Sequence, residues 1–297
     1  MLFETCNNEW IILYHIFDQV DELVKAMSKG IKRKLLQDLK TKGGRPPKLS
    51  LQAILTFGVF RFAVGNKDIK HYHRYLLSHF SHELGEIPNY GNFNGLMNRT
   101  LPYVIFLLQW LMHCNRSRGT GLYFLDSSPL KVCENKRIFG HKVCEGLAQR
   151  GKSSMGWFFG FKLHAVCDSL GRLVSLLITP GNTDDRKFAF KLLKGLKGLC
   201  IADAAYVSKN LMKTLCDQGL LLLTDVRNSM KRLMSETEHE LLKMRQRIEG
   251  VFACLKYRLQ AEASMARSPL GYLSRILFAC LAFVLTPQFE TMALITY

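Results

Sequence analysis

Residues 119–134 read GTGLYFLDSSPLKVCE. A short apolar run, Leu122-Tyr123-Phe124-Leu125, ends in Asp126 and is followed by Ser127-Ser128-Pro129. An apolar run this short, bounded by glycines and a proline, has the pattern of a buried strand. The spacing therefore predicts a strand over 122–126 that proline stops. Its terminal aspartate either makes an Asx turn or is a charge that the strand exists to hold. Asp126 alone does not decide between them.

The stretches downstream supply the context. MGWFFGFKLHAVCD (155–168) and RLVSLLITPG (172–181) are two apolar runs joined by Asp-Ser-Leu-Gly, the pattern of an antiparallel hairpin. TDDRKFAFKLLKGL begins with acids and ends with lysine and glycine, as a helix does. Its acids, Asp184 and Asp185, are expected to complement the helix dipole. LCIADAAY (199–206) is a strand with Asp203 at its end. SKNLMKTLCDQG reads as a helix, LLLLTDVR as a strand, and 235–259 as one long helix carrying Glu249. The order β, β-hairpin, α, β, α, β, α predicts a mixed α/β sheet with flanking helices.

Two strands of this sheet finish in aspartate. If they lie side by side, Asp126 and Asp203 come within reach of one ion, and a packed helix can deliver Glu249. Hard divalent cations take oxygen ligands, and Mg²⁺ commonly uses one or two carboxylates with waters and substrate phosphates. Each acid also has a plainer role. Asp126 could make a turn, Asp203 could cap the next helix, and Glu249 could pair with Arg245 at i−4. Topology favours the joint reading, because all three converge.

Upstream, residues 1 to about 118 read as helices. WIILYHIFDQVDELVKAM has helical spacing, and a basic stretch broken by Gly43-Gly44 and Pro46-Pro47 follows it. Ser50 and Asp68 look like N-caps of the next two helices. Lysine and arginine total 41 against 24 acids, a net charge of +17, which predicts a polyanionic partner, most often nucleic acid. Short helices with a basic linker suit a DNA-binding domain. The longest apolar runs are about half of the roughly 20 residues of a membrane helix, so no membrane association is expected. Nine scattered cysteines lack any C-x-x-C pair and are expected as reduced thiols of a cytoplasmic protein. His79 and His82 stand at i, i+3 with no third ligand suitably near, so zinc is not expected.

FLDSSP, RGKSSMGWFFGFKLHAVCD, LITPGNTDDR, ADAAY and RQRIEGVFACLK, in this order over about 120–260, resemble a DDE-type transposase of a bacterial insertion sequence. The resemblance implies a ribonuclease-H-like (retroviral-integrase-like) catalytic fold over 119–265, preceded by an all-α domain over 1–118. A helical segment, 266–297, would pack on the catalytic domain. By the same match Asp126, Asp203 and Glu249 are the catalytic, metal-binding triad, separated by 77 and 46 residues. Many such transposases carry tyrosine, arginine, glutamate and lysine at fixed spacing on the last helix. Arg245, Glu249 and Lys256 fall at those spacings, on one face of a regular helix. Leu242 stands where the tyrosine would be, and ADAAY lacks the lysine-glycine that often follows the second aspartate.

Implied with the family are Mg²⁺ as cofactor, with Mn²⁺ able to substitute and two ions bound. Also implied are cleavage of DNA at transposon ends, strand transfer into target DNA, and a homodimer on DNA in a bacterial, nucleoid-associated protein. Arg245 and Lys256 would contact phosphates. The segment 131–152 holds six basic residues and two acids. It is expected as a loop that offers Arg150 and Lys152 to DNA phosphates. Two alternatives share parts of this pattern. A ribonuclease-H-like nuclease or resolvase would have the triad without strand transfer. A non-catalytic DNA-binding protein would have the charge without needing three acids.

Overall fold

The computed structural model describes residues 2–30, 48–65, 68–225, 234–262 and 266–286. The basic stretch around Gly43-Gly44 and Pro46-Pro47, and residues beyond 286, lie outside them. In chain order the first helices are α1 (Leu2–Gly30), α2 (Leu51–Ala63), α3 (Ile69–His79), α4 (Tyr90–Arg99) and α5 (Leu101–Ser117). Then come β1 (Leu122–Cys133), β2 (Gln149–Ser153), β3 (Gly156–Asp168), β4 (Leu173–Pro180), α6 (Arg186–Leu193), β5 (Gly198–Ala202), α7 (Lys209–Asp217) and β6 (Leu220–Thr224). Three helices follow, α8 (Glu236–Lys243), α9 (Gln246–Ala253) and α10 (Pro269–Leu285). Two compact units result. One comprises residues up to Leu108 with Arg258–Thr286, the other Gln109–Tyr257.

The first unit is all helical. In α1 the buried residues Leu13, Ile16, Val20, Val24 and Met27 recur every three or four positions, one stripe of a helix. Ser50 and Asp68 cap α2 and α3 as their types predict, accepting from Ala53 N–H and from the N–H groups of Lys70 and His71. Helix α2 is buried around most of its circumference, and α10 packs on it. The sequence reading set 266–297 on the catalytic domain; α10 instead belongs to the helical unit. The fit is close at Gly58, where an added Cβ would come within 2.1 Å of the Phe278 ring.

The second unit holds the expected mixed α/β sheet. Its order is β2-β3-β1-β5-β6, with β4 also paired to β3. β3 and β4 form the hairpin read from Asp-Ser-Leu-Gly, and the buried Asp168 closes its turn, accepting from the N–H groups of Leu170 and Arg172 and from the Arg172 guanidinium. β1 lies antiparallel to β3 and parallel to β5, and β5 parallel to β6. One face, with Tyr123, Leu125, Val166, Cys200 and Ala202, packs on Leu192 and Leu193 of α6 and Leu215 of α7. Side chains alternate along strands, so Phe124, Asp126 and Ile201 face the other way, toward α9, which contacts β1 and β3.

Three local expectations are corrected. β1 does not stop at Asp126 but runs through Pro129 to Cys133. Beyond Leu125 it keeps β3 as partner and has lost β5, and proline is tolerated where a strand has a free edge. Residues 149–153, expected in a loop, form strand β2 on β3. The single long helix is broken at Met244–Arg245, where Met244, Arg245, Arg247 and Ile248 donate to carbonyls three residues back, a tightened turn. No proline or glycine signals that break. Asp185 stands at the N-terminus of α6 without a side-chain capping bond, and its carboxylate takes Lys162 at 2.8 Å.

Candidate active site

The register of the parallel ladder sets the site. Leu122 to Leu125 pair with Leu199 to Ala202, and the next residues are Asp126 and Asp203. Adjacent strands lie about 4.8 Å apart, so the two aspartates leave the sheet side by side. Asp203 also caps the short turn Ala204–Tyr206, accepting from Ala204 N–H at 2.6 Å. The cap and the site are thus compatible roles for one carboxylate. Asp126 accepts from Ser127 N–H at 2.7 Å.

Helix α9 brings Glu249 over this end of the sheet. The break before it turns Arg245 inward, where its guanidinium bridges two acids. Nη1 lies 3.2 Å from Asp203 Oδ1 and Nη2 3.2 Å from Glu249 Oε1. Asp126 and Arg245 each interact electrostatically with one another and with both Asp203 and Glu249. Burial pushes the Asp126 carboxyl up to about 6, opposed by the Ser127 N–H and Arg245 and reinforced by Asp203 and Glu249. Among the described residues no three acids close to metal-ligand distance. Three carboxylates without a cation repel, and Arg245 holds two of them. The donor set suits a hard divalent ion: carboxylate oxygens, with Asp203 and Glu249 side chains 49% and 40% exposed and a positive group already among them.

The three acids named from the sequence lie near one another here, whereas Arg245, expected toward phosphates, has its guanidinium between Asp203 and Glu249. Lys256 is half-buried on a π turn, Cys254–Arg258. Such a turn departs from the α-helical repeat and is frequent at functional sites. The one-face arrangement read from a regular helix is thus seen for Arg245 and Glu249 and is interrupted before Lys256. Arg150 and Lys152 lie on β2, along a cleft of about 480 Å³ that reaches Ala205, two residues past Asp203.

A model of the transposase DDE domain matches residues 116–269, just over half of the chain. The chain belongs to the DDE transposase family. A Brucella ovis protein described as a transposase for insertion sequence element IS6501 is 30% identical to this transposase over 122 residues, 40% of this chain and 93% of its own. A piggyBac transposase in a synaptic complex with hairpin DNA aligns over 95% of this chain and 75% of its own, with 12% identity and a TM-score of 0.48. No described helix of the transposase is long and apolar enough to cross a membrane.

Two features of the family unit escaped the sequence reading. Lys162 joins Asp185 and Thr183 O, and the fully buried His164 meets Thr179 Oγ1 at 2.8 Å with Asp185 Oδ1 3.8 Å from its other nitrogen. Lys162 and His164 alternate with Leu163 on one strand, which signalled a shared face but not its partner. The second feature is Trp157, exposed beside the buried Phe158. In the run GWFFGF the two aromatics could not be told apart.

Proposed function

We propose that this transposase cleaves DNA at transposon ends and transfers the freed strand into target DNA, using Asp126, Asp203 and Glu249 to hold two Mg²⁺ ions. The observation that carries this reading is the ladder end: two aspartates follow the same rung of adjacent strands, and a helix supplies a glutamate tied to one of them through Arg245.

In the first step a water oxygen bonds to phosphorus and the P–O3′ bond breaks, giving a 3′-hydroxyl and a 5′-phosphate. In the second that hydroxyl bonds to a target phosphorus and displaces another 3′-oxygen, so no covalent enzyme intermediate is needed. Bound at the three carboxylates, divalent ions supply Lewis acidity to the attacking and departing oxygens. The protein's share is positional. β1 and β5 fix two carboxylates on a rigid sheet, α9 sets the third, and Arg245 neutralises the acids until cations and phosphate arrive. Arg150 and Lys152 hold phosphates along the cleft, with Lys256 contacting DNA from the π turn. A homodimer on DNA fits the need to join two ends.

The test is Asp126→Asn with transposon-end duplexes and pre-cleaved ends. Mg²⁺-dependent nicking and strand joining are both expected to vanish while end binding persists. Wild-type rates in that variant would overturn the triad. Wild-type cleavage without joined products would instead mark a nuclease.

A further inference from the structure

The cleft beside the acids has a wall that phosphate binding alone does not require. Trp157 stands on the β2–β3 hairpin with 52% of its surface exposed. Strand alternation demands that a residue there point outward, but any polar side chain would serve. The ring is flanked by cations: the Arg150 guanidinium lies 4.9 Å and the Lys152 ammonium 5.9 Å from its centroid. Such cation–π contacts orient an indole, and Trp157 stays 52% exposed beside them.

The opposite wall would repel DNA if its acids were bare. Asp184, however, is paired with Arg186 at 2.6 Å, and Asp185 with Lys162 at 2.8 Å. A Cβ on Gly151 would come within 2.1 Å of Gly181 O and 2.8 Å of the Phe158 ring, so the two cleft-lining segments approach as only glycine permits. At about 480 Å³ the cleft is within the range that accepts a small organic ligand, and it has room for one nucleotide.

We propose that this cleft is a subsite for an unpaired nucleotide, its base stacked on Trp157 and its phosphate held by Arg150 and Lys152. The proposal rests on the transposase reading and deepens it by naming how the DNA strand next to Asp203 is gripped. Every base has a π-face, so a stacking tryptophan between cations favours single strands without choosing a sequence. A paired base has both faces occupied by its neighbours and gains nothing from the indole.

Full-length protein without divalent ions is titrated against two labelled probes, a twelve-nucleotide oligothymidylate and a twelve-base-pair duplex. Trp157→Ala is expected to lower the ratio of single-strand to duplex affinity by about tenfold, within the range of one lost stacking contact. Trp157→Phe should restore most of it. A 2-aminopurine placed in the oligothymidylate should be quenched on binding to the wild type and recover in Trp157→Ala. An unchanged ratio, or no quenching in the wild-type complex whatever the variants do, overturns the stacking subsite and leaves the transposase reading standing. Failure of the wild type to bind either probe overturns both.

Discussion

Asp126 and Asp203 are successors of one rung: Leu125 opposite Ala202 is the last pair of the parallel ladder, and each aspartate is the next residue on its strand. The 76 residues between them hold the β2–β3–β4 meander and a crossover helix, and the sheet cancels that distance. The connection returns the chain one strand from where it began. Two like charges at one sheet end are unfavourable by themselves. Arg245 offsets them.

That arrangement separates the chemistry of Asp203 from its structural role. Its carboxylate accepts from Ala204 N–H, and an asparagine oxygen can do the same. Asp203→Asn should therefore keep the melting temperature within about 2 °C, since caps differ little between these residues. Mg²⁺-dependent cleavage should fall by about 10³-fold or more, the scale of losing a charge-stabilising group. Thermal melts and a nicking assay on the same preparation check both halves; equal losses in each would mean that the residue serves the turn alone.

Arg245 occupies the oxygens that a cation would take. Removing it exposes Asp203 and Glu249 to divalent ions without competition but leaves them repelling one another beforehand. Arg245→Gln is expected to bind Ca²⁺ or Mg²⁺ about tenfold more tightly, the equivalent of one modest charge-assisted bond relinquished. The same variant should melt lower than wild type when chelator is present. Calorimetric titration gives the affinity. Weaker binding would show that the guanidinium organises the acids rather than competes for them.

In the helical unit, α2 and α10 meet where Gly58 faces the Phe278 ring. Gly58→Ala would improve helix propensity by about 1 kcal/mol, yet its methyl group would overlap a fully packed ring. Overpacking of this kind costs about 1–3 kcal/mol. A net loss of stability in urea unfolding is expected, and adding Phe278→Leu should recover part of it. Should Gly58→Ala prove stabilising alone, the ring must have room to move.

How legible the molecule was can be judged residue by residue. Asp126, Asp203 and Glu249 were readable because strand ends and helix spacing are local patterns, and the ladder then had only to be in register. The extent of β1 was not readable, because tolerance of Pro129 depends on where β5 ends. Arg245 shows the same limit. Its spacing to Glu249 was visible, but the inward turn arises from a tightened backbone at Met244 with no breaker residue. The placement of α10 was beyond reach, since apolar helices carry no address; Gly58 against Phe278 decides it. Trp157 and Phe158 differ only in the side of the sheet they face, and that is a matter of register with β2.

The raised carboxyl of Asp126 yields a pH dependence whose direction can be derived. In the metal-free protein burial lifts it to about 6 from an ordinary 3.8, so between those values the folded state holds a proton that the unfolded chain has released. Stability falls with pH wherever the folded state binds more protons. The contribution of Asp126 is therefore full below pH 3.8 and lost as pH rises through 6. Asp126→Asn should remove this component, making the metal-free variant the more stable protein at pH 7 and nearly equal at pH 4. Cation binding has the opposite slope, because a ligating carboxylate must be ionised. Below pH 6 the wild type should lose up to about tenfold in Mg²⁺ affinity per pH unit from this group, with up to one proton released per site on binding. Titrations in buffers of different ionisation enthalpy count that proton. A flat affinity between pH 5 and 7 would mean that Asp126 is ionised before the metal arrives.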